Sequence, residues 1–253
     1  MRADPPLSPD ETRRYARHLV LKGFGGAGQQ RLKAAGVLVV GAGGGLGSPA
    51  IAYLAAAGIG RLGIADPDRV ALSNLQRQIV HSGATLDQPK AESAAAFVAG
   101  LNPHVELALY PETLDEAGAA RLLPGYDVVL DGTDDLVTRR AVAAAAAAAR
   151  VPLVSGAVAG FSGQVSVFAP YAGGPAHDAL FPAALQQADL ASCEVNGVLG
   201  PVTGVIGTLM AVEAIKLVTG IGTPLIGRVL VYEAREARFT EFALPPGAAP
   251  ESS

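Results

Sequence analysis

Between Gly41 and Lys90 the chain gathers the residue types that phosphate chemistry uses. Gly41-Ala42-Gly43-Gly44-Gly45-Leu46-Gly47 follows the apolar run Val37–Val40 and opens a helical stretch. Glycines at a strand end let a phosphate approach the backbone, and the helix start behind them supplies N–H donors and a positive dipole end. Asp66 and Asp68 follow a second apolar run, Leu62-Gly63-Ile64-Ala65. An acid at the end of the second strand commonly holds ribose hydroxyls. By themselves these two features favour an NAD-type dinucleotide and an oxidoreductase.

The polar residues that follow change the balance. Ser73-Asn74-Leu75-Gln76-Arg77-Gln78 leads to Lys90, adding two cations. A dinucleotide has only a pyrophosphate, which the helix terminus largely satisfies, so Arg77 and Lys90 suit the higher charge of a triphosphate. Asp134 and Asp135 close the run Leu130-Asp131-Gly132-Thr133-Asp134-Asp135, at the carboxyl edge where open α/β sheets bind ligands. A carboxylate at Asp134 suits Mg2+, which takes oxygen ligands and accompanies triphosphate. The expected cofactors are therefore ATP and Mg2+.

A sheet must hold these groups together. Strands are expected near 37–41, 61–66, 105–110, 127–131 and 151–155, and helices near 45–57, 88–100, 113–122 and 135–149. Short apolar strands alternating with helices imply a mostly parallel Rossmann-like sheet covered on both faces. Asp10 is a candidate cap for a first helix through Tyr15 and Leu19. Beyond Val154 the pattern changes to a strand at Gln164–Phe168, a polar stretch at Tyr171–Gln187, a helix near 202–218 and strands at Arg228–Tyr232 and Arg238–Ala243. These last strands should extend the sheet in antiparallel fashion. The 253 residues read as one domain, with 1–9 and 245–253 expected to be disordered.

Composition narrows the partners. A formal charge of -4 leaves no electrostatic footprint for nucleic acid or an anionic membrane. One cysteine excludes an intramolecular disulfide. Val195–Val212 has no formal charge, but Asn196, Pro201, Thr203 and Thr208 interrupt it and Glu213 and Lys216 follow. It reads as a buried loop and helix, not a membrane span. With no secretory leader pattern, a cytoplasmic location is expected.

Asp66-Pro67-Asp68, Ser73–Gln78, Gln88-Pro89-Lys90 and Asp131–Asp135, with Arg14-Tyr15-Ala16-Arg17 and Val151–Gln164, resemble the ThiF/MoeB/HesA family, bacterial relatives of ubiquitin-activating enzymes. The resemblance runs from about Arg13 to Phe242. It implies an adenylyltransferase that activates the C-terminal glycine carboxylate of a ubiquitin-like sulfur carrier, ThiS or MoaD, and releases pyrophosphate. That activity would serve thiamine or molybdopterin biosynthesis. It further implies that Gly41, Gly43, Gly44 and Gly45 form the phosphate loop and that Asp66 holds the ribose. Asn74, Arg77 and Lys90 would address the phosphates, and Asp134 would be the metal or transition-state acid, followed by Asp135. Arg14 resembles the arginine that crosses from a second subunit, which implies a homodimer. The chemistry fits: a carboxylate is already a nucleophile at neutral pH, so charge neutralisation and positioning matter more than a base.

Three departures qualify the resemblance. Many relatives hold structural zinc with two Cys-x-x-Cys pairs, whereas here the first place reads Ala176-His177-Asp178-Ala179-Leu180. The tail has no cysteine, so no zinc site is expected. Asp135 stands where relatives usually have asparagine, and His18 where glutamine is common. Cys193, in Ser192–Gly197, is either a sulfur-transfer cysteine as in the ThiF branch or a non-essential thiol as in the MoeB branch. Ala159–Gln164 leans towards the ThiF branch, while Val151–Ala157 fits MoeB as well. The alternatives are the NAD-binding oxidoreductase and a catalytically inert carrier-docking homologue.

Overall fold

Val37-Leu38-Val39-Val40 alternates its side chains between two hydrophobic layers, and that alternation organises the molecule. The computed structural model describes residues 5–186 and 197–245. Strand β1 (Gly36–Val40) is buried along its whole length. Val37 and Val39 face one core cluster, whereas Leu38 and Val40 face the other. β-Branched residues suit such a strand because they pack on both sides of the pleat.

β1 pairs in parallel with β2 (Arg61–Ala65) and β4 (Val128–Asp131). Outside these lie β3 (Glu106–Tyr110) on β2 and β5 (Leu153–Ala159) on β4, again parallel. Then β6 (Ser162–Phe168), β7 (Arg228–Glu233) and β8 (Arg238–Ala243) continue antiparallel. The eight-stranded order is β3-β2-β1-β4-β5-β6-β7-β8. The chain leaves β1 to one side for β2 and returns to the other side for β4. This reversal opens a crevice at the carboxyl ends of β1 and β4.

One face is covered by α3 (Gly25–Ala34), α4 (Gly47–Ala57), α5 (Lys90–Leu101) and α8 (Gly200–Thr219), through Leu32, Leu54, Val98 and Ile206. The other is covered by α6 (Glu116–Leu122) and α7 (Leu136–Ala149), through Ala119, Val142 and Ala146. Small alanines on α7 bring that helix close to the sheet. By length and composition alone α8 is long and apolar enough to cross a membrane. It packs instead against α4, β5 and β6.

The N-terminal segment differs from expectation. Ser8, not Asp10, caps α1 (Pro9–Arg14): its hydroxyl accepts from the Glu11 N–H at 3.2 Å while Glu11 Oε2 accepts from the Ser8 N–H at 2.7 Å. This reciprocal box needs a carboxylate three residues after the cap, which Ser8-Pro9-Asp10-Glu11 provides and Asp10 as cap would not. The helix stops at Tyr15, and α2 (Ala16–Leu19) is a separate turn. Lys33 Nζ donates to the Pro6 carbonyl at 2.9 Å, so the stretch expected to be a loose arm is tied down from Pro6 onward. Residues 1–4 and 246–253 lie outside the described part of the chain.

Candidate active site

The loop after β1 turns back sharply at Gly41, whose φ is +72°; a Cβ there would approach the backbone of Gly132 and Thr133 at 3.2 Å. Only glycine takes this conformation readily and also leaves room for the neighbouring strand end. Gly43 sits against the first residue of α5, and a Cβ on it would lie 2.6 Å from Lys90 Cβ. Its N–H donates to Asp66 Oδ2 at 2.9 Å, and Asp66 Oδ1 accepts from the Asp68 N–H at 3.1 Å. Asp66 is buried, and burial raises its carboxyl above the ordinary range against the opposing pull of the Lys90 charge.

A cleft of about 770 Å3 opens over this loop and collects most of the groups read from the sequence. Gly41, Gly44, Gly45, Asp66, Asp68, Ser73, Asn74, Arg77, Gln78, Lys90, Asp134 and Asp135 all line it. Lys90 is only 5% exposed and pairs with Asp68 Oδ2 at 2.8 Å, its ammonium held in the cleft wall. Arg77 Nη1 donates to the Ser73 carbonyl at 3.2 Å, closing a turn that carries the guanidinium to the cleft. Asn74 Oδ1 accepts from the Ala71 N–H at 3.2 Å and fixes the start of the same turn.

Asp135 has a structural task at the start of α7. Its Oδ2 accepts from the Thr138 N–H at 2.7 Å and caps α7. Partial burial opposes its charge, yet the hydrogen bonds from Thr138 outweigh it and hold the carboxyl below its ordinary value. Asparagine would cap equally well. Leu75 and Gln76 stand apart from the cleft lining. The Gln76 backbone instead abuts Gly200 at the start of α8, where a Cβ would meet its carbonyl at 2.3 Å. Arg14 also lies away from the cleft lining, donating to the Leu101 carbonyl at 3.0 Å. Cys193 lies outside the described residues.

Two buried groups beside the cleft were not anticipated. Arg139 is 2% exposed; it pairs with Asp131 Oδ2 at 3.1 Å and donates to Ser155 Oγ at 2.7 Å, the Gly156 carbonyl at 2.9 Å and the Thr133 carbonyl. It thereby ties the loop that carries Asp134 to β5. Its position three residues from Leu136 and from Val142 was a usable signal, since i±3 places it on the buried face of α7. His81 is the other, bonded to Gly43 and Ser93. Nothing in its sequence setting marks it.

The chain matches the ThiF family model over residues 15–252. It belongs to the ThiF family. Among relatives, it is 44% identical over 238 residues to the molybdopterin-synthase adenylyltransferase of Escherichia coli K12, covering 94% of both chains. It is 46% identical over 235 residues to adenylyltransferase and sulfurtransferase MOCS3-1 of Zea mays, covering 93% of this chain and 50% of that protein. The chain thus spans about half the length of the maize relative. The solved structure of Escherichia coli MccB with ATP shares the fold, with a TM-score of 0.79 at 20% identity over 95% of this chain and 73% of that one.

Within this ThiF-family fold the segment Ala176–Leu180 forms a short turn in an apolar setting. The His177 ring stacks on Phe181 at 4.7 Å and meets Phe168 edge-on at 5.1 Å. Burial pushes its imidazole down to about 4, so it is neutral at physiological pH. Arg139 lies over the other partner of this stack, 4.7 Å from the Phe181 centroid, which joins the turn to the cleft wall. Among the described residues no group of three His, Cys, Asp or Glu side chains is placed to hold a metal ion.

Proposed function

We propose that this ThiF-family chain is an ATP-dependent adenylyltransferase that activates the C-terminal glycine carboxylate of a MoaD-like sulfur carrier and releases pyrophosphate. The observation that carries this reading is the meeting of Arg77, Lys90 and Asp134 over the glycine loop in one cleft. The names of the Escherichia coli and maize relatives support the adenylyltransferase class, and the former supports a molybdopterin-pathway carrier over a ThiS-like one. They lend nothing to an oxidoreductase or to an inert docking protein.

The carrier carboxylate attacks the α-phosphorus of ATP, a P–O bond forms to its oxygen, and the bond to pyrophosphate breaks. No proton need be removed from the nucleophile, so the site's work is electrostatic and positional. Asp66 would take the ribose hydroxyls, while Arg77 and Lys90 neutralise charge as it moves onto the leaving pyrophosphate. Lys90 arrives paired with Asp68, which keeps the buried ammonium oriented before ATP enters. Asp134, a carboxylate on the cleft edge, fits Mg2+, an ion that takes most of its oxygens from phosphates and water. When bound, Mg2+ would supply further neutralisation of the phosphates. The cleft runs on past Ala157 and Ala159, whose small side chains leave room for an extended glycine tail.

A homodimer belongs to the same proposal. Arg14 does not reach the cleft of its own protomer, so its contribution would come from a second copy. Mixing Arg14→Ala with Lys90→Ala protein should restore activity that neither variant has alone; failure to complement would contradict the shared site. The activity itself is tested by ATP–pyrophosphate exchange with purified MoaD-like and ThiS-like carriers. Exchange should depend on the MoaD-like carrier and on its terminal glycine. Exchange with the ThiS-like protein alone would reassign the carrier, and exchange with neither would overturn the reading.

A further inference from the structure

We infer that His81 is a positioning residue for ATP: it locks the Gly43 carbonyl to the first turn of α5, so that the phosphate loop and Lys90 meet the nucleotide as one unit. The inference rests on the adenylation reading and deepens it.

His81 is 8% exposed and sits between the loop and α5. Its Nε2 lies 3.0 Å from the Gly43 carbonyl oxygen and its Nδ1 lies 2.8 Å from Ser93 Oγ. A carbonyl can only accept, so Nε2 carries the hydrogen and Nδ1 accepts from the Ser93 hydroxyl. The Gly43 carbonyl thus selects the Nε2–H tautomer, and the Ser93 hydroxyl, which can donate or accept, satisfies the Nδ1 of that tautomer. Burial first of all, and then the Lys90 charge, lowers the imidazole below its ordinary value of 6.5 against the opposing bond to Gly43. Ser93 is three residues beyond Lys90 on α5, on the same face of its first turn.

The Gly43 residue is thereby held at both ends, its N–H by Asp66 and its carbonyl by His81. Its N–H, the one atom of Gly43 that could donate to a phosphate, is therefore already used. Gly44 donates to the Gly41 carbonyl at 2.9 Å, so Gly44 is also spent on loop shape. The phosphates must then be met by the following helix start, by Lys90, which this scaffold aims, and by Arg77. A relay Ser93–His81–Gly43–Asp66 crosses from α5 through the loop to the end of β2. Freeing the Gly43 carbonyl would let the loop shift relative to Lys90 and leave a buried acceptor unpaired.

The test compares ATP affinity, measured by calorimetry without carrier, in the wild type and in His81→Gln, His81→Asn and Ser93→Ala. A glutamine amide nitrogen stands where Nε2 does, whereas an asparagine nitrogen stands where Nδ1 does. His81→Asn should bind ATP about tenfold more weakly, with His81→Gln within about threefold of wild type. In steady state His81→Asn should raise KM for ATP and leave KM for the carrier unchanged. A merely structural role would lower Tm for both variants and leave ATP affinity alone. Wild-type affinity in His81→Asn, or equal losses in Gln and Asn, would overturn the inference. Ser93→Ala touches no loop atom and serves if His81→Asn fails to fold: it should weaken ATP binding about threefold, and unchanged binding would overturn the inference. Absence of ATP binding in the wild type would instead overturn the proposed function, and this inference with it.

Discussion

β1 and β4 bury every residue, and charged groups gathered around the carboxyl ends of β1, β2 and β4 are tied to partners: Asp66 to two amides, Lys90 to Asp68, Arg139 to Asp131. β8, at the far side of the same sheet, leaves five of its six residues exposed, Phe239 and Phe242 among them. Its order comes from cross-strand pairs, with Tyr232 stacked on Phe239 at 4.6 Å and Arg228 paired with Glu241 at 2.9 Å. The parallel half holds charges in place before any ligand arrives, which is the condition for strong electrostatic catalysis. At β8 the antiparallel half spreads its stability over contacts that water shares. Damage should therefore be steep and specific in the first half and shallow in the second.

The largest effect is expected where the buried charge is concentrated. Arg139→Leu removes the counter-charge of Asp131, which has no exposed surface, and should cost about 3–5 kcal/mol by urea denaturation. A loss under about 1 kcal/mol would mean that the ion pair is not what holds the β4 loop.

Next come the cleft residues themselves. Lys90→Ala, Arg77→Ala and Asp134→Ala should each lower carrier-dependent pyrophosphate exchange about 100- to 1,000-fold. A merely tenfold loss in all three would blur the contrast between the halves.

His177 sharpens the comparison at the junction. Its folded-state pKa of about 4 lies below the ordinary 6.5, so the unfolded chain binds the extra proton first. Its contribution is full above pH 6.5 and is lost as pH falls towards about 4. The wild type should lose roughly 3 kcal/mol over that window on this account, and His177→Phe should lose much less. Equal acid sensitivity in the two proteins would contradict a buried neutral imidazole.

Phe239→Ala marks the shallow end, with an expected cost of about 1 kcal/mol for a half-exposed ring in one stacked pair. A cost approaching that of Arg139→Leu would erase the difference between the two halves.

The same division governed what could be read from sequence. Val37–Val40 and Val128–Leu130 announce themselves because strands buried on both faces are written as unbroken apolar runs. Asp134 stands out as a charge just beyond β4, whereas Arg77 and Lys90 stand out only through the ordered segments Ser73–Gln78 and Gln88-Pro89-Lys90. Helix α3 was not expected: Gly25, Gly26 and Gly28 lower its propensity, and only tertiary burial of Leu32 and Gln29 holds it. Gly43 was legible as a loop glycine, but not that its N–H belongs to Asp66. His81 was illegible because its task depends on Ser93 and Gly43 arriving from two other elements.

The most direct test of carboxylate activation is the intact mass of the MoaD-like carrier after incubation with this protein and Mg-ATP. The account predicts a carrier heavier by one adenylyl group at its terminal glycine, formed with one pyrophosphate released and absent with Lys90→Ala protein. A carrier of unchanged mass under conditions where the protein binds ATP and the carrier together would contradict it.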